Sequence, residues 1–312
     1  MIFRKFIVDT KLKGLKDAIR SLLLHILGID EQIKTLQFFL NELHSPLEIG
    51  PTGDNDLRIM QKCDVSLLQI IDRFCKKHQI QYWLDYGSLL GAVRHGGFIP
   101  WDDDMDIAML RADYQIFYRL AKEELTKLGL SIDEGKIGER IGVAYQHEKT
   151  GIWLDIFPVD KISCDVSLER AEPLLNKGIK EFRKKFKGDE DPLTLDRLRT
   201  KYINTKITDG DNIVLYHGPE FVYVKNVMHC YDDVFPLGRI NFEGVELSCP
   251  RHVETYIKRI YGGNYMQFPK SGVLHHGEAS GRPPLSQWAK LHGTNMNDVL
   301  EELQGMYCKI KF

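Results

Sequence analysis

The 312-residue sequence lacks four signals that would place it in a specialised class of protein. Its six cysteines form no Cys-x-x-Cys pair, which disfavours structural zinc, and a chain of this length needs no disulfides to build a core. No apolar run reaches the roughly 18–20 residues of a membrane-spanning helix. The 42 Lys and Arg nearly balance the 44 Asp and Glu, so net charge does not call for nucleic acid or membrane, and no internal repeat is present. The remaining composition is that of an ordinary globular protein.

The first residues also lack the long apolar stretch and small-residue cleavage site of a secretory signal, so we expect a cytoplasmic protein. Residues 1–50 are predicted to form a helical appendage. Residues 1–20 carry six basic and two acidic side chains interleaved with apolar ones, a pattern that suits a helix at a membrane surface. Packing of such a helix on its own protein is the commoner arrangement. Contact of residues 1–28 with the inner face of a membrane stays as the alternative.

The order of predicted elements indicates an α+β fold, with a mixed sheet flanked by helices and helical additions at both ends. We predict a catalytic core over residues 57–164 and a helical and hairpin part over 165–312 that completes the substrate site. The predicted elements of the core are a helix ending near His78, a strand at 80–86, a helix at 89–95, a strand at 104–110, a helix at 113–128 and a hairpin of 141–147 with 152–157. Those of the second part are charged helices within 165–208, a hairpin at 239–248 turning at Glu243-Gly244, a helix ending at Tyr261 and a final helix at 285–304.

The segment WLDYGSLLGAVRHGGFIPWDDDMDIAM, residues 83–109, carries an unusual density of acids. Side chains alternate along a strand, so Asp102, Asp104 and Asp106 are predicted to share one face. Carboxylates this close repel one another unless a cation lies between them. Magnesium prefers oxygen ligands of this kind and leaves positions open for substrate phosphates. The pattern therefore predicts a Mg²⁺ site, with Mn²⁺ as the alternative ion.

Gly87-Ser88 lies where the predicted strand passes into a helix. The free N–H groups at a helix start favour an anion, and the glycine lets a phosphate approach the main chain. Arg94 and His95, on the same helix, are candidates for further phosphate contacts, and Arg94 is the stronger because its charge does not titrate. A structural role for His95 is the alternative. These four residues are the predicted phosphate-binding group.

Asp155 interrupts an otherwise apolar run, GIWLDIFPVD, on the next predicted strand. Acids are rarely buried without partners, so we predict that it joins the metal ligands or acts as a base, with a structural salt bridge as the alternative. Asp160, at the end of the same run, is predicted to lie in a turn. Lysines and arginines within 177–187 are interpreted as a solvated face, since few aromatic residues accompany them and nucleic-acid binding needs such residues.

Gly87-Ser88 followed by Asp104-Met105-Asp106 fits the general nucleotidyltransferase pattern that DNA polymerase β shares, although the intervening gap is longer than usual. The longer string GSLLGAVRHGGFIPWDDDMDIAM closely resembles the LicD family, which includes the fukutin-type proteins. Weaker similarity follows in LDIFPVD, in VFPLGRINFEGVELSCPR and in YGGNYM, so the resemblance covers about residues 60–270. The sequence departs from the family where Lys270 follows Pro269, and it lacks the cysteine-rich zinc insertion of some fukutin-related members.

The resemblance implies a transferase that moves phosphocholine from CDP-choline to a hydroxyl of a cell-surface glycan, such as teichoic acid or lipopolysaccharide, and releases CMP. It implies catalytic roles for Asp104, Asp106 and Asp155, with Asp102 as a further metal ligand, and with either Asp155 or a nearby histidine as the acceptor of the proton. Alternatives are ribitol- or glycerol-phosphate as cargo, nucleotidyl transfer from an NTP, or a nucleotide-binding module without catalysis. If choline is the cargo, its ammonium should meet aromatic faces, for which nearby candidates are Tyr82, Trp83, Tyr86, Trp101 and Trp153.

Overall fold

The computed structural model describes residues 55–134, 141–146, 151–188, 190, 192–220, 226–267 and 285–311. The predicted N-terminal appendage and the tip of the hairpin between 141 and 157 lie outside these residues. The helices are α1 Asn55–His78, α2 Tyr86–His95, α3 Arg111–Glu124, α4 Leu168–Arg183, α5 Pro192–Tyr202, α6 Tyr231–Val234, α7 Val253–Tyr261, α8 Leu285–Leu291 and α9 Met296–Lys309. The strands are β1 Trp83–Leu84, β2 Met105–Leu110, β3 Leu130–Glu134, β4 Ile141–Tyr145, β5 Trp153–Cys164, β6 Asn212–His217, β7 Met228–Cys230, β8 Gly238–Phe242 and β9 Val245–Cys249.

Seven strands form one mixed sheet in the order β1-β2-β5-β4-β3, with β6 paired to β5 and β7 to β6. Strands β2 and β5 run parallel, and the other pairs are antiparallel. This architecture confirms the predicted α+β fold and is consistent with a nucleotidyltransferase. Strands β6 and β7 come from the predicted C-terminal part, yet they extend the same sheet.

Helix α1 packs one stripe into the core, as its three- and four-residue spacing of apolar side chains predicts. Phe74 on this stripe is 1% exposed and meets Phe117 of α3 edge to face, with ring centroids 5.4 Å apart. Strands β8 and β9 form a separate hairpin. Its turn residues Glu243 and Gly244 both have positive φ, 51° and 80°, which suits a tight hairpin turn and confirms its predicted position.

Several predicted boundaries differ from the structure, and three of them have a clear cause. The strand predicted at 80–86 is limited to β1, because Tyr86 already begins α2. Strand β5 continues to Cys164 instead of ending near residue 157, because β6 pairs with its second half. The final helix is two helices, since Asn295 caps α9 by accepting from the N–H groups of Asn297 and Asp298.

The prediction that Asp160 lies in a turn is wrong, because it lies within β5 and is 9% exposed. Arg111, the first residue of α3, forms a two-bonded ion pair with its carboxylate, at 2.9 and 2.6 Å. The same guanidinium donates to Glu220 at 2.6 Å, and Arg199 donates to Glu220 at 3.1 Å. Burial alone would raise the pKa of Asp160, but Arg111 and Arg199 hold it below its ordinary value. This buried ion cluster joins α3, α5 and β5.

We expect Arg111→Met to lower the free energy of unfolding by about 3–5 kcal/mol at pH 7, because it leaves buried carboxylates without their partner. The pKa of Asp160 is lowered in the folded protein, so its ion pair with Arg111 stabilises the protein at pH values above the ordinary pKa of 3.8. This stabilisation is lost as the pH falls through the lower pKa of the folded state. The difference between the two proteins should therefore shrink below about pH 4. Urea unfolding measured across pH tests this. Lys258→Met, in an exposed ion pair with Glu254, is the control and should leave the midpoint unchanged.

Candidate active site

Three carboxylates meet at the amino ends of the parallel strands β2 and β5. Asp106 lies directly opposite Asp155 in the strand register, so the two side chains leave the sheet on the same face. One carboxylate oxygen from each of Asp104, Asp106 and Asp155 lies within 4.8 Å of the others. The structure thus brings together the three residues predicted to be catalytic. We refer to them as the acidic cluster.

Asp102 and Asp104 reach this region from the loop before β2, not from the strand on which they were predicted. The strand begins at Met105, and Asp102 is held in a turn by the bond from its N–H to the carbonyl of Ile99. Oxygen atoms of Asp102, Asp103 and Asp104 also lie within 4.8 Å of one another. The alternation of a single strand therefore does not explain the clustering, which depends on the course of this loop.

The electrostatics of the acidic cluster fit a divalent cation. Burial raises the pKa of Asp106 well above its ordinary value, and the charges of Asp104, Asp155 and Asp102 raise it further. Such crowding destabilises the ionised carboxylates unless a positive charge joins them. All the donors are carboxylate oxygens, which Mg²⁺ and Mn²⁺ accept as ligands. The residues present therefore fit the predicted metal ion.

The turn from β1 into α2 is bonded directly to Asp106. The side chain of Asp85 caps α2 by accepting from the N–H of Tyr86, which has a φ of 33°. The N–H of Gly87 lies 3.2 Å from Asp106 Oδ2, and the hydroxyl of Ser88 accepts from the Asp106 N–H at 2.8 Å. Ser88 is 2% exposed, so its hydroxyl holds the strand in place. Gly87 is the partly exposed residue of the predicted pair.

A buried network behind this turn was not predicted from the sequence. Asp85 is fully buried, and its carboxylate lies 2.6 Å from Nε2 of His217 on β6 and accepts from the hydroxyl of Tyr256 on α7 at 2.9 Å. Trp83 in turn donates to the Tyr256 oxygen at 3.1 Å. The only local signal was an aspartate directly before a helix start, which is a typical cap. The network ties the start of α2 to distant parts of the chain.

The indole of Trp153 orients Asp155, which follows it by two residues on the same face of β5. Its Nε1 donates to Asp155 Oδ1. The ring lies across Gly142 on β4, at the place where any other residue would carry its Cβ. Gly142 is the register partner of Asp155. A glycine at this position therefore makes room for the donor that orients the carboxylate.

Arg94 and His95 occupy the last turn of α2, and the structure separates their environments. Arg94 is half-buried, donates to the carbonyl of Tyr265 at 3.2 Å and interacts with the charge of Asp102. His95 is exposed, about 12 Å along the helix axis from the Gly87 turn. A phosphate role for either residue stays a prediction, and the charge on Arg94 is the one that reaches the acidic side chains.

Tyr261 is a further residue at the site that the motif reading did not assign a role. It ends α7, where Gly262 follows with a φ of 84°. Its side chain is 40% exposed, while desolvation of its hydroxyl and the charges of Asp106, Asp85 and Asp102 raise its pKa well above the ordinary value. It therefore stays a protonated donor beside the acidic cluster at neutral pH.

Comparison with known proteins identifies the family of one domain of the chain. Residues 79–195 match the family described as LicD/FKTN/FKRP, nucleotidyltransferase domain. The chain carries a LicD-family domain. The match contains the acidic cluster, Gly87, Ser88 and Arg94, whereas Tyr256, Tyr261 and Glu243 lie beyond it.

Individual relatives resemble shorter segments of the chain. The lipopolysaccharide cholinephosphotransferase LicD of Haemophilus influenzae is 46% identical over 61 residues, 20% of this chain and 23% of the relative. The ribitol 5-phosphate transferase FKRP of Homo sapiens is 56% identical over 34 residues, 11% of this chain and 7% of the relative. The ribitol-5-phosphate transferase FKTN of Mus musculus is 31% identical over 102 residues, 33% of this chain and 22% of the relative. The chain thus spans less than a third of the length of each.

We expect Gly87→Ala to weaken divalent-cation binding by the LicD domain about 10–100-fold, the range seen when residues that orient metal ligands are changed. A Cβ at residue 87 would lie 2.8 Å from Oδ2 of Asp102, so this carboxylate must move, whereas Oδ2 of Asp106 at 3.6 Å would be in ordinary contact. Titration of Mn²⁺, followed by the electron paramagnetic resonance (EPR) of the free ion, measures this. Gly305→Ala, in open space on α9, is the matched control, and equal affinities of the two variants would contradict the prediction.

Proposed function

We propose that this protein is a Mg²⁺-dependent transferase that moves a phospho-alcohol, with phosphocholine as the first candidate, from a CDP-activated donor to a glycan hydroxyl and releases CMP. The observation that carries the proposal is the meeting of Asp104, Asp106 and Asp155 within 4.8 Å beside the start of α2. Carboxylates beside a helix start suit a diphosphate and its cation, because the cation offsets the acids and the helix dipole favours the anion. The relatives named for phosphocholine and ribitol phosphate transfer support the reaction class.

In this reaction the acidic cluster and Asp102 would hold the cation, and the main chain at Gly87 would approach the diphosphate. When bound, the cation neutralises charge that develops on the transferred phosphoryl group and on CMP. The acceptor hydroxyl forms the new O–P bond as the bond from phosphorus to the CMP oxygen breaks. Its proton passes to a base, for which Asp155 and a nearby histidine are the two candidates of this proposal.

The choice of cargo rests on residues outside the acidic cluster. Of the aromatic side chains considered for an ammonium cage, Tyr82, Trp83 and Trp153 are at most 2% exposed, which makes them core residues. Tyr86 and Trp101 are 9% and 8% exposed and stay candidates. The FKRP and FKTN relatives, named for ribitol phosphate, make CDP-ribitol the second donor to test. CDP-glycerol is the third.

The proposed acceptor is a cell-surface glycan or its precursor, such as lipopolysaccharide or teichoic acid, and we propose no nucleic-acid partner. The relative from Haemophilus influenzae is named for lipopolysaccharide. Among the described helices, none is both long and apolar enough to cross a bilayer. We propose a cytoplasmic enzyme, with residues 1–28 as the segment that would meet the inner face of a membrane.

A donor panel tests the reaction class. The protein is incubated with Mg²⁺ and CDP-choline, CDP-ribitol, CDP-glycerol or a nucleoside triphosphate, with glycan acceptors, and the products are separated. We expect CMP from one of the CDP donors and no pyrophosphate. Pyrophosphate from the triphosphate would instead identify a nucleotidyltransferase, and binding without product would identify a non-catalytic module.

Asp106→Asn should reduce CMP release by at least about 10²–10³-fold, because it removes one charge from the centre of the acidic cluster. The fold should persist, since burial already disfavours the ionised form of this side chain. Asp232→Asn, an exposed acid on α6, is the control and should retain full activity. Turnover and thermal unfolding are measured on the same preparations. Undiminished turnover by Asp106→Asn would refute the proposed site.

Removal of divalent ions should abolish turnover reversibly. We expect excess chelator to stop CMP release, and Mg²⁺ or Mn²⁺ to restore it, whereas Ca²⁺ should restore less because it favours more ligands at longer distances. Full turnover in chelator would exclude a metal role for the acidic cluster.

A further inference from the structure

An ion pair between two residues that are far apart in sequence joins the tip of the β8–β9 hairpin to helix α1. The carboxylate of Glu243 accepts two bonds from the guanidinium of Arg58, at 2.9 and 2.6 Å. The side chains are 30% and 20% exposed, so the pair is partly shielded from water. Two parallel bonds define the orientation of both planar groups. Glu243 is thereby held in one position relative to α1.

From this ion pair a hydrogen-bonded relay leads to a proposed metal ligand. Nη1 of Arg58 also donates to Oε1 of Gln61, at 3.2 Å, one turn further along α1. Nε2 of Gln61 donates to the main-chain carbonyl of Asp102, at 2.9 Å. Gln61 is 3% exposed, so water does not readily replace this bond. We call the series Glu243–Arg58–Gln61–Asp102 the hairpin relay.

Glu243 also forms hydrogen bonds with the beginning of the loop that carries Asp102. Its N–H donates to the carbonyl of Gly96 at 2.8 Å, and its carboxylate accepts from the N–H of Phe98 at 3.2 Å. The carboxylate fills the space where a side chain on Gly97 would begin, so only glycine permits this approach. The loop 96–104 contains no helix or strand of its own. Its course depends on contacts from outside.

We propose that Glu243 is a positioning residue. Through the hairpin relay and its hydrogen bonds to Gly96 and Phe98, it determines the positions of Asp102 and Asp104. The inference rests on the proposed function, because it concerns the metal ligands of that site. The bonds of Glu243 to Gly96 and Phe98 hold the loop where it leaves α2, and the hairpin relay holds it at Asp102. The short side chains of Asp102 and Asp104 follow the main chain. A loop held at both points presents its carboxylates to β2 and β5 in one arrangement.

The test compares Glu243→Gln with Glu246→Gln, whose carboxylate is exposed on the same hairpin. Glutamine at 243 keeps the size and one acceptor but loses the charge and the pairing with Arg58. We expect the half-saturating Mn²⁺ concentration, read from the EPR of the free ion, to rise about 10–100-fold in Glu243→Gln only. Hydrogen exchange of residues 96–104 should also become faster. At saturating metal, the KM for the donor should stay within about twofold.

A second variant tests the relay independently of the hairpin. Gln61→Glu keeps an acceptor for Arg58 but takes away the donor to Asp102, so metal affinity should fall in the same way. The double variant should lose less than the product of the two single effects, because both changes act on one series of contacts. Fully multiplicative losses would overturn the relay.

One result for Glu243→Gln would overturn the inference. The variant would melt at a lower temperature but have the same metal affinity and hydrogen exchange as Glu246→Gln, which would mean that Glu243 only stabilises the fold. Failure of the proposed function is a different result, in which the wild-type protein and Asp106→Asn bind Mn²⁺ equally weakly. In that case the exchange of residues 96–104 still decides the inference, and exchange equal to that of Glu246→Gln overturns it.

Discussion

Mutual repulsion among partly buried carboxylates is the constraint on which the rest of this site depends. Asp106 and Asp155 lie opposite each other on parallel strands, and Asp104 joins them from the loop before β2. Burial and the neighbouring charges both act against ionisation of Asp106. A chain that required only stability would place apolar side chains at these positions, since they cause no such loss. A cation among these carboxylates, which the proposed function requires, would compensate the charges.

Three elements position these acids, two through bonds to the main chain and one through a bond to a carboxylate. The α2 turn binds the N–H of Asp106 through Ser88, the hairpin tip reaches the carbonyl of Asp102 through the hairpin relay, and Trp153 contacts the carboxylate of Asp155 directly. An aspartate has only two side-chain torsions, so the place of its carboxylate follows from the place of its Cα. Supporting bonds to the main chain therefore determine where the charges lie.

The local parts of this structure could be predicted from the sequence, and the contacts between distant residues could not. Periodicity indicated α1, turn chemistry located Glu243-Gly244, and the apolar run around Asp155 placed that acid on a strand. The ion pair of Arg58 with Glu243 spans 185 residues, and the contact of His217 with Asp85 spans 132. No local pattern encodes such pairs, because each partner alone has the appearance of an ordinary surface or strand residue. The prediction for Asp160 was wrong for the same reason, since its partner Arg111 lies on another element.

The proposed function accounts for the short stretches of sequence that relatives named for different cargoes share with this chain. In the proposed reaction, Asp104, Asp106, Asp155 and the α2 turn would bind a cation and the diphosphate that every CDP-activated donor carries. The relatives named for phosphocholine and for ribitol phosphate match this chain at 46% identity over 61 residues and at 56% over 34 residues. High identity over a short segment is what a common phosphate chemistry requires, because its geometry tolerates little change. Recognition of the alcohol and of the acceptor makes separate demands and can diverge in the remaining chain. Under the proposed function we therefore expect cargo choice to depend on side chains around the acidic cluster, such as Tyr261 and Arg94, and not on the acids themselves.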